Sequence, residues 1–282
     1  MPKIHFVGVG KMGLSMAVNL ATGGNQVSVS DPSQVALEFA KEKNLEVVAF
    51  DQGVNEADVV FSSLPDDGAL ATVVKNLVKV AKPSTIYIDT STVSPSISDF
   101  VASQLFLNQI DYLRCPVSGN SQMAEQAQLT SLVSGGKAAY DSVLPLLKLL
   151  GPHQFYLGDA EQARVMKLVI NLMVVQSFST LSEGFSIGKS AGLTSDDMWK
   201  VITSSAVASP ILKVKSEALS KNDYAATFTV EQMKKDVGLI LNQAKLTKNH
   251  AAHTAIVESE LLQASSRGWG DEDYAAIMKL KA

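Results

Sequence analysis

Apolar and polar positions change their rhythm once along this chain. From residue 3 to about 158, short β-branched runs alternate with helical patterns: KIHFVGVG from residue 3, QVSVS over 26–30, DVVFSSL over 58–64, TIYID over 85–89, IDYLR over 110–114 and TSLVSG over 130–135. Several of these runs are apolar throughout, as strands covered on both faces must be. Strands that alternate with helices predict βαβ units and an α/β, doubly wound, mostly parallel sheet.

After Gly158 glycine and proline thin out, and one helical stretch runs from near Glu161 to about Ala191, where Gly192 offers a C-terminal stop. Val165, Met166, Leu168, Val169, Ile170, Leu172, Met173, Val174 and Val175 cover nearly every face of it. A helix so patterned is expected to be central, buried on most sides, and open to sharing with a second subunit. Further helices are predicted over Thr194–Ser204, Glu231–Lys245, Ala251–Ser266 and Glu272–Lys279. The chain therefore reads as a sheet domain over 1–160 and an all-α C-terminal domain with a long central helix over 161–282.

The first strand opens on GVGKMG, residues 8–13, which fits G-x-G-x-x-G ahead of the helical LSMAVNLATGG. Gly8 suits the tight turn, Gly10 the close approach of backbone to a pyrophosphate, and Gly13 the packing of helix on strand. Lys11 and Met12 lie between them at the helix N-terminus, whose N–H groups and dipole favour an anion. Asp31 ends the second strand 18 residues beyond Gly13, where an acid can accept the ribose hydroxyls. This is the pattern of a dinucleotide-binding Rossmann domain. A carboxylate there repels a 2′-phosphate, and Pro32, Ser33 and Gln34 supply no arginine, so NAD is expected over NADP. Leu64, Pro65 and Thr92 stand at later strand ends, where such sheets bind their ligands.

Composition narrows the partners. The net charge is −4, with no dense Lys/Arg stripe, so nucleic acid is not expected. One cysteine, Cys115, excludes an intrachain disulfide and fits a reducing cytoplasm. The N-terminal residues lack the apolar run of an export signal, and LVINLMVV, over 168–175, falls far short of a bilayer crossing, so no membrane association is expected. His5, His153, His250 and His253 show no metal-ligand set.

FSSLPDD (61–67), DTSTVSPSIS (89–98), CPVSGN (115–120), MKLVIN (166–171) and FTVEQMKKD (228–236) follow the glycine loop in order, with GDEDYAAI near the end. Together with GVGKMGLSMAVNL they resemble the β-hydroxyacid dehydrogenase family across nearly the whole chain. The resemblance implies a Rossmann domain, a helical domain led by a long helix, and hydride transfer between a nicotinamide cofactor and a small β-hydroxyacid or its semialdehyde. It implies Lys167 as proton donor and acceptor with Asn171 beside it, and Ser118, Gly119 and Asn120 as the holder of a substrate carboxylate. It also implies Phe228, Lys235 and Asp236 as substrate residues, Lys235 facing the cofactor as well, and a homodimer or higher oligomer.

Independently of the resemblance, Lys167 and Asn171 are i and i+4 and share one helix face. A lysine among Met166, Leu168, Val169 and Ile170 is costly to bury unless paired, and burial lowers its pKa towards the range of a useful general acid. The sequence departs from the family at Asn120, where a second glycine is usual, and at Ile170, where an asparagine is usual. Asn120 adds an amide to the expected pocket wall. Two other readings remain open on sequence alone: an imine reductase, and a dinucleotide-binding protein without turnover.

Overall fold

The structure, a computed structural model, describes residues 2–281. The chain divides into two compact units, one ending at Lys167 and the other beginning at Leu168.

Among its described residues the first unit holds nine strands: β1 Lys3–Val7, β2 Gln26–Ser30, β3 Glu46–Val47, β4 Val59–Ser62, β5 Ile86–Asp89, β6 Asp111–Arg114, β7 Val117–Ser118, β8 Thr130–Gly135 and β9 His153–Tyr156. Their order is β3-β2-β1-β4-β5-β6-β8-β7, with β9 also on β8. The first six are parallel and run in the doubly wound order 3-2-1-4-5-6, which reverses direction between β1 and β4. β8 lies antiparallel to β6 and β7 and parallel to β9.

The unbroken apolar runs have a direct cause. Successive side chains on a strand point to opposite faces. Phe6, Phe61, Ile88 and Leu113 enter one core layer, while their neighbours Val7, Val60, Tyr87 and Tyr112 enter the other. Seven helices cover the two faces: α1 Lys11–Thr22, α2 Gln34–Glu42, α3 Phe50–Glu56, α4 Asp67–Val80, α5 Pro95–Leu107, α6 Ser121–Glu125 and α7 Lys137–Leu147. Four begin at side-chain caps, where Ser33, Asp66, Ser94 and Asn120 accept from Ala36, Ala69, Ile97 and Met123 N–H groups. Strands β3 and β7 escaped the sequence reading because two residues carry no period. β9 escaped it because HQFY is half exposed.

Helix α8, Gln162–Ser190, starts in the first unit and leads the second. It is followed by α9 Ser195–Ser204, α10 Pro210–Ser220, α11 Val230–Leu246 and α12 Ala252–Ala264. α10 went unpredicted although Ser209 caps it and Pro210 occupies its first turn. The segment after α12 is a π turn over Ser265–Trp269, broken by Gly268 at φ +82°. The predicted last helix is a 3-10 helix, Tyr274–Leu280, instead.

Two expectations about α8 need correction. Within the single chain it is not buried on most sides. Val175 and Phe178 are in the second unit's core, but Met166, Val169, Met173 and Ile187 are 38, 42, 64 and 72% exposed. At 100° per residue those four fall within about 60° of one another, a single apolar stripe. The eight-residue run LVINLMVV also understated the helix. At 29 residues, with mean hydropathy 1.4 in its most apolar window, α8 is long and apolar enough by length and composition to cross a membrane.

His5 lies fully buried in β1 with its ring nitrogens 3.0 Å from the Ser28 Oγ and 2.8 Å from the Ser30 Oγ of β2. Burial pushes its pKa down from 6.5 to about 4. The folded protein therefore keeps His5 neutral over a range in which the unfolded chain binds a proton. Its contribution to stability is complete above pH 6.5 and is lost as pH falls towards 4. Chemical denaturation at pH 7 and pH 4 is expected to show about 3 kcal/mol of loss from this residue. The loss should be absent in His5→Gln, and equal losses in parent and variant would refute the assignment.

Candidate active site

The glycine turn after β1 is built for an anion. Gly8 has φ +87°, and a Cβ there would stand 2.4 Å from the Ser63 carbonyl oxygen of the neighbouring strand end. At Gly13 a Cβ would come within 1.9 Å of the Gly8 carbonyl oxygen, so only glycine lets α1 pack this close. Gly10 is the opposite case: nothing lies within 4 Å of where its Cβ would be, which leaves its backbone open to a ligand. No side chain caps α1 and no acid occupies its first turn. The N–H groups around Lys11, Met12 and Gly13 thus keep the positive end of the helix for an incoming pyrophosphate. Asp31 closes the turn: its Oδ2 accepts from Val9 N–H at 2.8 Å and its Oδ1 from Ser33 N–H at 2.7 Å. The carboxylate is fixed at the end of β2, where the ribose of a dinucleotide belongs. These residues fit a nicotinamide dinucleotide.

The adjoining strand ends carry a feature that sequence reasoning missed. Arg164, in the first turns of α8, is fully buried. Its Nη2 donates to Asp89 Oδ2 at 2.5 Å and to the Tyr112 hydroxyl at 2.9 Å, its Nη1 to the Ser91 carbonyl at 2.6 Å, and its Nε to Ser98 Oγ at 3.3 Å. The other Asp89 oxygen accepts from Ser62 Oγ at 2.6 Å and Ser91 Oγ at 2.5 Å. Ser91 Oγ in turn accepts from Leu64 N–H at 2.8 Å. Burial works against the guanidinium charge, but Tyr112 and Asp89 outweigh it and hold the Arg164 pKa above its ordinary value. Burial also raises the pKa of Tyr87 and of Tyr112, whose rings stack 5.6 Å apart, so both are neutral hydroxyls. Of the predicted strand-end residues, Leu64 belongs to this network directly, Pro65 follows it, and Thr92 follows Ser91. A second pair, Arg114 with Glu161 at 2.5 Å, joins the end of β6 to the residue before α8. The available signal was an arginine and an aspartate embedded in apolar runs, a pattern that calls for pairing.

Lys167 is half-buried, one turn beyond Arg164 and one turn before Asn171 on α8. Within the second unit, buried Asn171 donates from Nδ2 to Asp236 Oδ2 at 2.6 Å. The Lys235 Nζ stands 3.1 Å from Asp236 Oδ1, an ion pair without hydrogen-bond alignment. Asn171, expected beside Lys167, and Lys235, expected with Phe228 and Asp236, both reach the Asp236 carboxylate. Phe228 packs edge-on against Tyr274, ring centres 6.3 Å apart. The strand-like entry to α11 that carries it is tied down by buried Lys215, whose Nζ lies 2.6 Å from Asp273 Oδ2.

In the first unit, Ser118 ends β7 and Gly119 turns with φ +143°. Asn120 does not simply line a wall: its Oδ1 caps α6 by accepting from Met123 N–H at 2.9 Å, so its acceptor is committed to the fold. Nearby Cys115 is fully buried, and burial pushes its thiol up to about 12, which removes it as a nucleophile. A cavity of about 280 Å³ does occur beside Lys3, Gln26, Glu46 and Gln52, at the amino ends of the strands. Ligands of doubly wound sheets bind at the carboxyl ends, so the loops described above are the better site.

Comparison with known proteins agrees with this geometry. The family model for the NAD binding domain of 6-phosphogluconate dehydrogenase matches residues 3–158, and that for the NAD-binding region of NADP-dependent 3-hydroxyisobutyrate dehydrogenase matches residues 162–281. The 2-(hydroxymethyl)glutarate dehydrogenase of Eubacterium barkeri is 30% identical, over 99% of this chain and 94% of its own. The chain belongs to the β-hydroxyacid dehydrogenase family. The Mycobacterium tuberculosis 3-hydroxyisobutyrate dehydrogenase, solved with L-serine, superposes with a TM-score of 0.92 at 25% identity over all of both chains. An imine reductase from Pseudomonas sp. reaches only 0.64 at 18% identity, over 100% of this chain and 99% of its own, a likeness of fold alone. As a member of the β-hydroxyacid dehydrogenase family, the protein is an NAD(P)-binding oxidoreductase of CH–OH groups, and the imine-reductase and non-catalytic readings are not favoured.

Proposed function

We propose that this enzyme interconverts a small β-hydroxyacid and its semialdehyde using NAD, with Lys167 as general acid and base. The observation that carries the reading is Lys167 on α8, one turn after a helix start bolted to the strand ends that carry Leu64, Ser91 and Thr92. When bound, the nicotinamide supplies or accepts the hydride. In the reducing direction the Lys167 ammonium gives its proton to the carbonyl oxygen as the alcohol forms; in the oxidising direction the neutral amine takes the hydroxyl proton back. Ser118 and the backbone N–H groups of Gly119 and Asn120 hold the substrate carboxylate. The Asn171 amide, oriented by its bond to Asp236, presents a fixed dipole one turn from Lys167, and Phe228 and Lys235 complete the substrate contacts.

Gly8, Gly10, Lys11, Met12, Gly13, Asp31, Leu64, Pro65, Thr92 and Lys235 would hold the cofactor. Asp31 supports NAD, because its charge opposes a 2′-phosphate and no arginine follows it in Pro32-Ser33-Gln34. The exposed apolar stripe of α8 supports a homodimer in which a second copy covers Met173 and Ile187.

The reading is tested by NADH oxidation with glyoxylate, succinic semialdehyde, tartronate semialdehyde and methylmalonate semialdehyde, and with a cyclic imine as control. Turnover of at least one semialdehyde and none of the imine is expected; the reverse pattern would overturn it. Lys167→Ala is expected to lower kcat by about 10² to 10⁴-fold with an unchanged melting profile, and near-normal turnover would remove the residue from proton transfer. The ratio of kcat/KM for NADH over NADPH is expected to exceed one and to fall in Asp31→Ser, whereas a clear NADPH preference in the parent would exclude the NAD assignment. Sedimentation is expected to show about twice the 30.0 kDa chain mass, and a monomer alone would sink the dimer.

A further inference from the structure

We propose that Arg164 is a positioning residue, which holds the two cofactor-side loops at Leu64 and Ser91 and the helical turn bearing Lys167 in one register. The inference rests on the role given to Lys167 above.

The four bonds of the Arg164 guanidinium end on four residues in different parts of the fold. Asp89 ends β5, the Ser91 carbonyl belongs to the loop after it, Ser98 lies on α5, and Tyr112 is on β6. A planar guanidinium with five donors in a rigid fork meets such a set in one orientation only. The network then continues outward. Asp89 receives the Ser91 hydroxyl at 2.5 Å, and that hydroxyl receives the Leu64 backbone N–H at 2.8 Å. Two loops at the carboxyl ends of β4 and β5 are therefore tied to each other and, through the same carboxylate, to α8. Lys167 follows Arg164 by three residues, about 4.5 Å along the helix axis and on the same side of it. A displacement of the Arg164 turn is thus a displacement of Lys167 against those loops.

Stability alone does not account for the arrangement. A buried ion pair is a weak source of folding energy, because apolar residues of similar volume commonly serve as well or better. What apolar side chains do not provide is direction. Four bonds to four residues specify the rotation and the axial position of the helix start, the two variables that set where a side chain one turn later points. Ser134 supports the same turn: its hydroxyl donates to the Ala160 carbonyl at 2.6 Å and accepts from Ala163 N–H at 3.2 Å.

Two variants test this in the full chain. Arg164→Lys keeps a positive charge opposite Asp89 and gives up the fork, so no carboxylate is stranded. Ser91→Ala cuts the tie to Leu64 while leaving Arg164 and Asp89 paired. The dissociation constant for NADH is measured directly by calorimetry, and kcat, KM and the pH profile of kcat are measured on the semialdehyde that the parent turns over. Arg164→Lys is expected to fold, to bind NADH about tenfold more weakly and to lose tenfold or more in kcat, with a displaced pH profile and little change in the semialdehyde KM. Ser91→Ala is expected to weaken NADH binding at an almost unchanged melting temperature. A lower melting temperature with parental kcat, pH profile and NADH affinity in Arg164→Lys would show a structural role only and overturn the proposal. Should that variant fail to fold, Ser91→Ala decides, and parental NADH affinity there overturns it. If the parent binds NADH but reduces no semialdehyde, the reaction assigned above fails, and the NADH affinities of the two variants still decide the positioning role.

Discussion

A charge buried without a partner is among the costliest things a protein can contain, and this structure answers that cost with a buried pair at the place where its sheet ends and its long helix begins. Arg164 and Asp89 are both removed from water, and each is tolerable only because the other is there. The requirement propagates. Asp89 can be reached only if β5 ends where it does, Tyr112 only if β6 lies beside β5 in its observed register, and Ser98 only if α5 packs over both. The ends of β4 and β5, which the ion pair holds in line, lie beside the glycine turn, where Gly8 packs against the Ser63 carbonyl. The functional loops thus inherit their geometry from a pair of charges that need not touch substrate or cofactor.

Much of the fold was legible because its signals are local or periodic. Continuous apolar runs report strands with two covered faces, and Phe6 beside Val7 or Tyr87 beside Ile88 show how both faces are served at once. The glycine loop was legible for a stronger reason, since the contacts a Cβ would make at Gly8 and Gly13 leave no other residue type workable. Segments without a period were not legible. Glu46–Val47 and Val117–Ser118 are strands only because neighbouring strands pair with them, and no window of sequence contains that information. The burial of α8 failed for a related reason: an apolar residue states a preference for a dry neighbour, and the described residues of the chain leave Met173 and Ile187 largely exposed.

The candidate site divides in the same way. Asp31 could be named from its distance to Gly13 along the chain, and Lys167 with Asn171 from helical spacing joined to a family resemblance. Asn171 and Asp236 could each be named through that resemblance, but their bond spans 65 residues and no motif joins them. The Arg164 network spans up to 75 residues and has no motif, so nothing in the order of residues announced it. Asn120 shows the limit from the other side. Its amide was legible as chemistry for a pocket, yet the oxygen is spent on capping a five-residue helix, a local structural use that competes with any contact to ligand.

The single thiol has a practical meaning beyond its absence from the chemistry. Cys115 sits at the end of β6 with no exposure, and its ionisation is displaced to about 12, so at neutral pH it is neither reachable nor nucleophilic. The chain is in effect a cysteine-free background that needs no cysteine removed. A thiol introduced at any exposed position would be the sole reactive group for a spin label or fluorophore. Distances and motions within either unit could then be read by spectroscopy on an otherwise native sequence.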